Sequence, residues 1–156
     1  MNDEYSAKML KAFIGKEDKT LWYQLSFSKY TINTIPIIRW NWSWWAFFGG
    51  FLFLLYRKQY LPSAVLFFLT VTIGMLPFMG FILAILAGGY ATYFIYKGYN
   101  TKLLEIESHI ENEDTRIETM EQLGGTHQWV VWVYAFFVSL VLFGLVSMSI
   151  IPSLAL

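Results

Sequence analysis

The chain has 156 residues, of which 56% are hydrophobic, 20% aromatic and only 14% charged, against roughly 25% charged residues in soluble domains. Eleven basic and eleven acidic side chains balance, which removes any general attraction to nucleic acid. There is no cysteine and there are two histidines, so disulfides, thiolate metal centres and cysteine nucleophiles are excluded.

The charges are segregated, and this segregation predicts the organisation. Residues 1–39 form a basic arm. Ser6 is placed to cap a helix ending at Ile14 before Gly15, with Met9, Leu10 and Phe13 on its apolar face. Asp18 is placed to cap a second helix, Lys19 to Lys29, with Leu21, Trp22 and Leu25 on one side. These faces suit either intramolecular packing or an anionic leaflet. The arm has no apolar core of the signal-peptide kind.

Residues 40–58 are the most distinctive stretch. Trp40 to Tyr56 is apolar but barely long enough to cross a bilayer, and Trp40, Trp42, Trp44 and Trp45 prefer the membrane interface. Gly49-Gly50 allows the chain to break and turn back. The segment is therefore either a short fourth span or a re-entrant or interfacial hairpin. Re-entry leaves all eleven basic residues on the cytoplasmic side with the N-terminus, as the positive-inside rule favours. Phe47, Phe48, Phe51 and Phe53 then enter the acyl region, and Arg57 and Lys58 meet lipid phosphates.

Residues 60–96 carry no charge and are too long for one span, so they predict a hairpin of spans at 61–76 and 79–96 reversing around Gly74, Pro77 and Gly80. Gly80, Ala84 and Gly88 form a small-residue stripe for close helix packing. Residues 97–128 predict a soluble helix over Thr101–Leu123, with a heptad-like seam of Leu103, Ile106, Ile110, Ile117 and Met120 interrupted by Glu113. That seam serves either the chain itself or a partner. Gly124-Gly125 ends the helix and Thr126 is placed to cap the last span, which runs from Trp129 to about Ile151 before Pro152. Trp129 and Trp132 stand at its interface.

Chemistry is sparse. Glu105, His109 and Glu113 share a helical face and form a weak candidate metal site, although the same spacing describes a solvated acidic face. The uncharged spans disfavour an ion-coupled transporter, and no glycine-rich phosphate motif is present. No cofactor is predicted.

The run Trp40-Asn41-Trp42, then Phe47-Phe48-Gly49-Gly50, then Leu55-Tyr56-Arg57-Lys58-Gln59-Tyr60 resembles a bacterial domain-of-unknown-function family of small inner-membrane proteins. That family carries Trp-Asn-Trp, Phe-Phe-Gly-Pro and Leu-Tyr-Arg-Lys-Met-Tyr. The likeness extends over roughly residues 13–126, from Phe13-Ile14-Gly15-Lys16 to Leu123-Gly124-Gly125-Thr126. Gly50 and Gln59 depart from the family's Pro and Met. The resemblance implies a membrane protein with this order of elements and no particular activity.

The sequence thus predicts an all-α, polytopic protein of three spans plus the Trp-rich segment, in a bacterial inner membrane with its N-terminus cytoplasmic. The expected role is a non-enzymatic accessory or scaffold whose partners are the lipid bilayer and another protein or a second copy. The alternatives are a homo-oligomeric channel or lipid-handling transporter, and last a lipid-modifying enzyme.

Overall fold

The computed structural model describes residues 3–32 and 35–154. Among them the chain forms α1 (Asp3–Ile14), α2 (Glu17–Phe27), a 3₁₀ turn (Ser28–Tyr30), a short antiparallel pair β1 (Thr31–Ile32) and β2 (Ile35–Pro36), and then α3 (Trp44–Tyr56), α4 (Tyr60–Thr72), α5 (Met79–His109), α6 (Glu113–Leu123) and α7 (Trp129–Leu154). The protein is all-α apart from the two-residue ladder, as its composition predicts.

The axis of the fold is α5, whose 31 residues make a rod of about 46 Å at ~1.5 Å per residue. Its uncharged first half and charged second half do different jobs. On the second half Thr92, Ile95, Tyr96, Tyr99, Leu103 and Ile106 are buried at spacings of three and four, which places them on one face. Against that face pack α1, α2, the 3₁₀ turn and α6, enclosing Met9, Ile14, Tyr30 and Met120 almost completely. Aromatic edges hold this cap together: Phe13 lies 5.2 Å from Tyr99, Phe27 5.4 Å from Tyr96 and Tyr30 5.4 Å from Tyr96, all tilted or edge-on. Such arrangements suit the ring quadrupole.

The single helix expected over Thr101–Leu123 is instead two. The first is the end of α5, which passes the expected boundary at residues 96 and 97 without interruption. Ile110 turns extended (φ −121°, ψ 123°), and the Asn112 side chain accepts from Thr115 N at 3.1 Å, capping α6. Arg116 braces the corner by donating to the carbonyls of Ile110 and Glu107. A cap that satisfies an orphan N–H outweighs continuing a helix through the acidic run. The seam stays within the chain: Leu103, Ile106 and Met120 are buried, and Ile110 and Ile117 pack beside them in the cluster that contains α1.

The arm also starts its helices earlier than its side-chain caps suggest. α1 begins at Asp3, so Ser6 is internal, and α2 begins at Glu17 after Lys16, which makes no side-chain cap. Glu17 and Asp18 lie in the first turn of α2, where carboxylates complement the helix dipole. Gly15 closes α1 at φ 65°. The apolar face of α1 is buried, whereas α2 turns Tyr23, Ser26 and Phe27 inward and leaves Leu21, Trp22 and Leu25 exposed.

α4 stops at Thr72, shorter than the expected span over 61–76, and has a length of about 20 Å. The chain reverses over residues 73–78 and leaves this turn through Phe78 at φ 63°. α5 and α7 are long and apolar enough to cross a membrane, whereas α3 and α4 are shorter apolar helices. Before α7 the backbone bonds run from Val130 N to His127 O and Val131 N to Gln128 O, so Thr126 is not its cap. The helix continues past Pro152 to Leu154, beyond the end expected at Ile151.

Gly125 N donates to Phe13 O at 2.8 Å, and a Cβ on Gly124 would stand 2.5 Å from that carbonyl. A Gly124→Leu substitution is expected to destabilise the cap by about 1–3 kcal/mol. Gly144→Leu, at a site with nothing within 4 Å, is expected to leave stability unchanged. Denaturation of both variants in the same detergent compares them directly.

Candidate functional site

Between the β-ladder and α3 the chain runs extended along α5. Asn41 N donates to Gly89 O at 3.0 Å and Ser43 N to Gly88 O at 2.8 Å. A helix backbone is normally screened by its side chains, and two adjacent glycines uncover it. The rings of Trp40 and Trp42 fill the uncovered space. A Cβ on Gly88 would lie 2.9 Å from the Trp42 ring, and one on Gly89 would run into Trp40. Trp40 and Trp42 stack at 5.9 Å, and Trp42 meets Trp44 edge-on at 5.2 Å. Lys29 Nζ donates to Asn41 Oδ1 at 3.0 Å, and Ser43 Oγ caps α3 by accepting from Ala46 N.

From this seat α3 turns back on itself. Phe47 reaches the ring of Phe81, one end of α5, with centroids 6.1 Å apart. Gly50 then breaks the helix at φ 51°, ψ −129°, a conformation open to glycine but not to proline, whose φ is held near −65°. Leu54 packs with Ala91, and the Gln59 amide fills the space left by Gly98. The direction along α5 has therefore reversed, from Gly88 toward Phe81 and back to Gly98. Ser63 of α4 donates to the Phe51 carbonyl beside the break at 2.8 Å. The Gly49-Gly50 break read from the sequence is thus present at Gly50.

The return brings Arg57 and Lys58 into the cap. Arg57 Nη1 donates to Ile14 O at 3.2 Å, His127 N donates to Tyr56 O at 2.9 Å, and Tyr60 Oη pairs with His127 Nε2 at 2.7 Å. Lys58 and Lys102 donate to the carbonyls of Gln122 and Leu123, at 3.3 and 2.7 Å. These are the last carbonyls of α6, where cations complement the dipole. Burial and the neighbouring Lys58 hold the Lys102 ammonium below the ordinary lysine range. The basic pair expected at lipid phosphates is therefore also bound into the cap. Lys58 is half-buried, and Arg57 is only 7% exposed.

Outside this seat lies a cleft of about 730 Å³ between α2, the outer face of α3 and the start of α7. Trp45, Phe48, Leu52 and Tyr134 give it apolar walls, and Lys16, Lys19 and Arg57 also line it. The Arg57 guanidinium lies 4.6 Å from the centroid of the Tyr23 ring. Burial raises the Tyr23 phenol above its usual range, against the opposing pull of Arg57.

Of the remaining sequence candidates, Trp44, Trp45, Trp129 and Trp132 are exposed and Trp40 is half exposed. Gly88 of the small-residue stripe receives Trp42 and Phe47, while Gly80 faces the carbonyl of Gly74 and Ala84 is partly buried. Glu105, His109 and Glu113 do not converge: α5 ends at His109 and Glu113 opens α6 beyond the corner. His109 Nδ1 faces the Glu105 carbonyl and the Ser108 hydroxyl. Among the described residues no group of three or more His, Asp or Glu could hold a metal. Sequence reasoning did not single out Gly89 or Gly98, although a glycine pair inside an apolar helix was the available signal for the first.

No family model matches the chain, and no curated protein or solved structure matches it either. The fold and site define a class: an α-helical protein with a charged helical cap on one end of an uncharged, apolar bundle.

Replacing Trp42 by alanine empties the seat over Gly88 and is expected to cost at least about 2 kcal/mol. Trp45→Ala, at a side chain 78% exposed, is expected to stay within about 0.5 kcal/mol. Chemical denaturation in detergent separates the two.

Proposed function

We propose that this chain is a non-enzymatic, integral inner-membrane protein of accessory or scaffold type. The observation that carries the reading is the surface of α7. Its apolar stretch Trp129–Ser147 has 6% of its residues buried, compared with 39% for that of α5. The core helix of a soluble protein has the opposite property, because exposed apolar area costs roughly 25 cal/mol per Å² in water. Phe136, Phe137, Leu140, Val141 and Phe143 all lie open, and hydrocarbon is the solvent that suits them. Leu61, Phe68 and Phe81 extend the apolar surface onto α4 and α5.

In this reading α5, α7 and the shorter α4 enter the bilayer, and the Trp-rich segment re-enters it. The bond from Arg57 to Ile14 supports re-entry, since a single crossing by residues 40–56 would separate these groups by the hydrocarbon thickness of about 30 Å. The cap then lies on the cytoplasmic side with all the basic residues, in keeping with the positive-inside rule. The resemblance of the Trp-rich block to small bacterial inner-membrane proteins agrees with this placement. The heptad seam and Gly88 are occupied within the chain, so the surface offered to a protein partner or second copy is α7.

Reporter fusions after residues 58 and 112 are expected to lie on the same, cytoplasmic side, and a fusion at the C-terminus on the other. The protein is expected to remain in membranes washed with alkaline carbonate. A periplasmic signal at residue 58, or release by carbonate, contradicts the reading.

A further inference from the structure

We propose that the cleft between α2, α3 and α7 binds one phospholipid with an anionic headgroup, its phosphate on Arg57, Lys16 and Lys19 and its chains along Trp45, Phe48 and Tyr134. The proposal rests on the membrane placement above and adds to it a specific ligand.

The charge balance of the cleft is the first argument. Three cations line it with one carboxylate, Asp18, and that carboxylate already pairs with Lys19 at 3.5 Å. Arg57 is more than nine-tenths buried, forms no ion pair among the described residues, and its Nε has no hydrogen-bond partner. Its side-chain partners among the described residues, the Ile14 carbonyl and the Tyr23 phenol and ring, are neutral. A buried guanidinium without a counter-charge is costly, and a phosphodiester supplies both the charge and acceptors that fit its planar fork. Lys16 stands over the Tyr56 ring at 5.8 Å, the same ring that Arg57 faces from 5.8 Å. Lys16 and Arg57 are therefore gathered at one place.

The second argument is the shape. The walls below the cations are apolar and aromatic, and the volume of about 730 Å³ lies within the roughly 300–1,000 Å³ of small-molecule sites. The cations lie where α2 and the end of α3 meet the cap, while Phe48 and Tyr134 lie on the segments that run toward the bundle. This order, cationic above and apolar below, matches a lipid at the membrane interface and leaves a free phosphate with half of the cleft empty.

The test uses the full chain extracted from membranes after the carbonate wash, so that loss of membrane integration is scored separately from loss of lipid. Native mass spectrometry in mild detergent follows titration with phosphatidylglycerol, phosphatidylcholine or inorganic phosphate. One phosphatidylglycerol is expected to be retained per chain, about tenfold more tightly than phosphatidylcholine, given the strength of charge-assisted hydrogen bonds. Arg57→Gln is expected to abolish this preference. Because Arg57 also joins the cap, the exposed pair Lys16→Glu with Lys19→Glu provides a variant whose fold is not at stake, and it is expected to lose the preference too. Trp45→Ala is expected to weaken retention of both lipids. Equal retention of the two lipids by the starting protein, a preference unmoved by the lysine pair, or displacement of the lipid by inorganic phosphate at equal concentration would overturn the proposal.

Discussion

The structure depends on how a non-helical stretch of backbone finds hydrogen bonds beside an apolar helix. Residues 40–43 are extended, and their amides must be satisfied where few polar groups are available. Gly88 and Gly89 resolve this by exposing the carbonyls of α5 to Asn41 and Ser43. The tryptophans then cover the site from which side chains are missing. With this seat in place, α3 starts at the middle of α5, so thirteen residues are enough to turn at Gly50 and come back.

The return has consequences for the whole molecule. It sets Arg57, Lys58 and Tyr60 against Ile14, Gln122 and His127, joining three parts of the chain that are far apart in sequence. The cap is consequently one body built on the second half of α5. The burial of its apolar seam against α1 removes the most obvious contact surface from the outside. The exposed apolar surface belongs mainly to α4, the first half of α5 and α7, with Trp44, Trp45 and Phe48 of α3 and the α2 edge of Leu21, Trp22 and Leu25. Trp22 of that edge also lines the cleft.

The residues at positions 50 and 59 can be understood in these terms. A proline at position 50 could not adopt φ 51°, so the backbone of the turn here depends on glycine. The buried Gln59 amide occupies the space over Gly98 and donates to Arg57 O at 3.3 Å. A methionine could fill that volume but could not make that bond.

Much of the architecture was legible in the sequence because it follows from local rules. The uncharged runs, the break at the glycine pair, the reversal near Gly74 and Pro77, and the termination at Gly124 each depend on a few neighbouring residues and on whether a charge can be buried. The corner at Ile110–Asn112 was hidden because a 3–4 spacing of apolar residues continues across it, and only the packing of α1 and α6 shows that two helices share one seam. The burial of Arg57 was hidden for a similar reason. A basic pair at the end of an apolar segment reads as facing lipid phosphates, and the burial of Arg57 depends on Ile14 and Tyr23, more than thirty positions away. The sequence by itself determined which segments avoid water, through the free energy of exposing apolar side chains and burying charges. Tertiary structure alone decided that residues 40–56 turn back, that the seam faces inward, and that a buried guanidinium lines a cleft, because those outcomes depend on which distant backbone and side-chain groups meet.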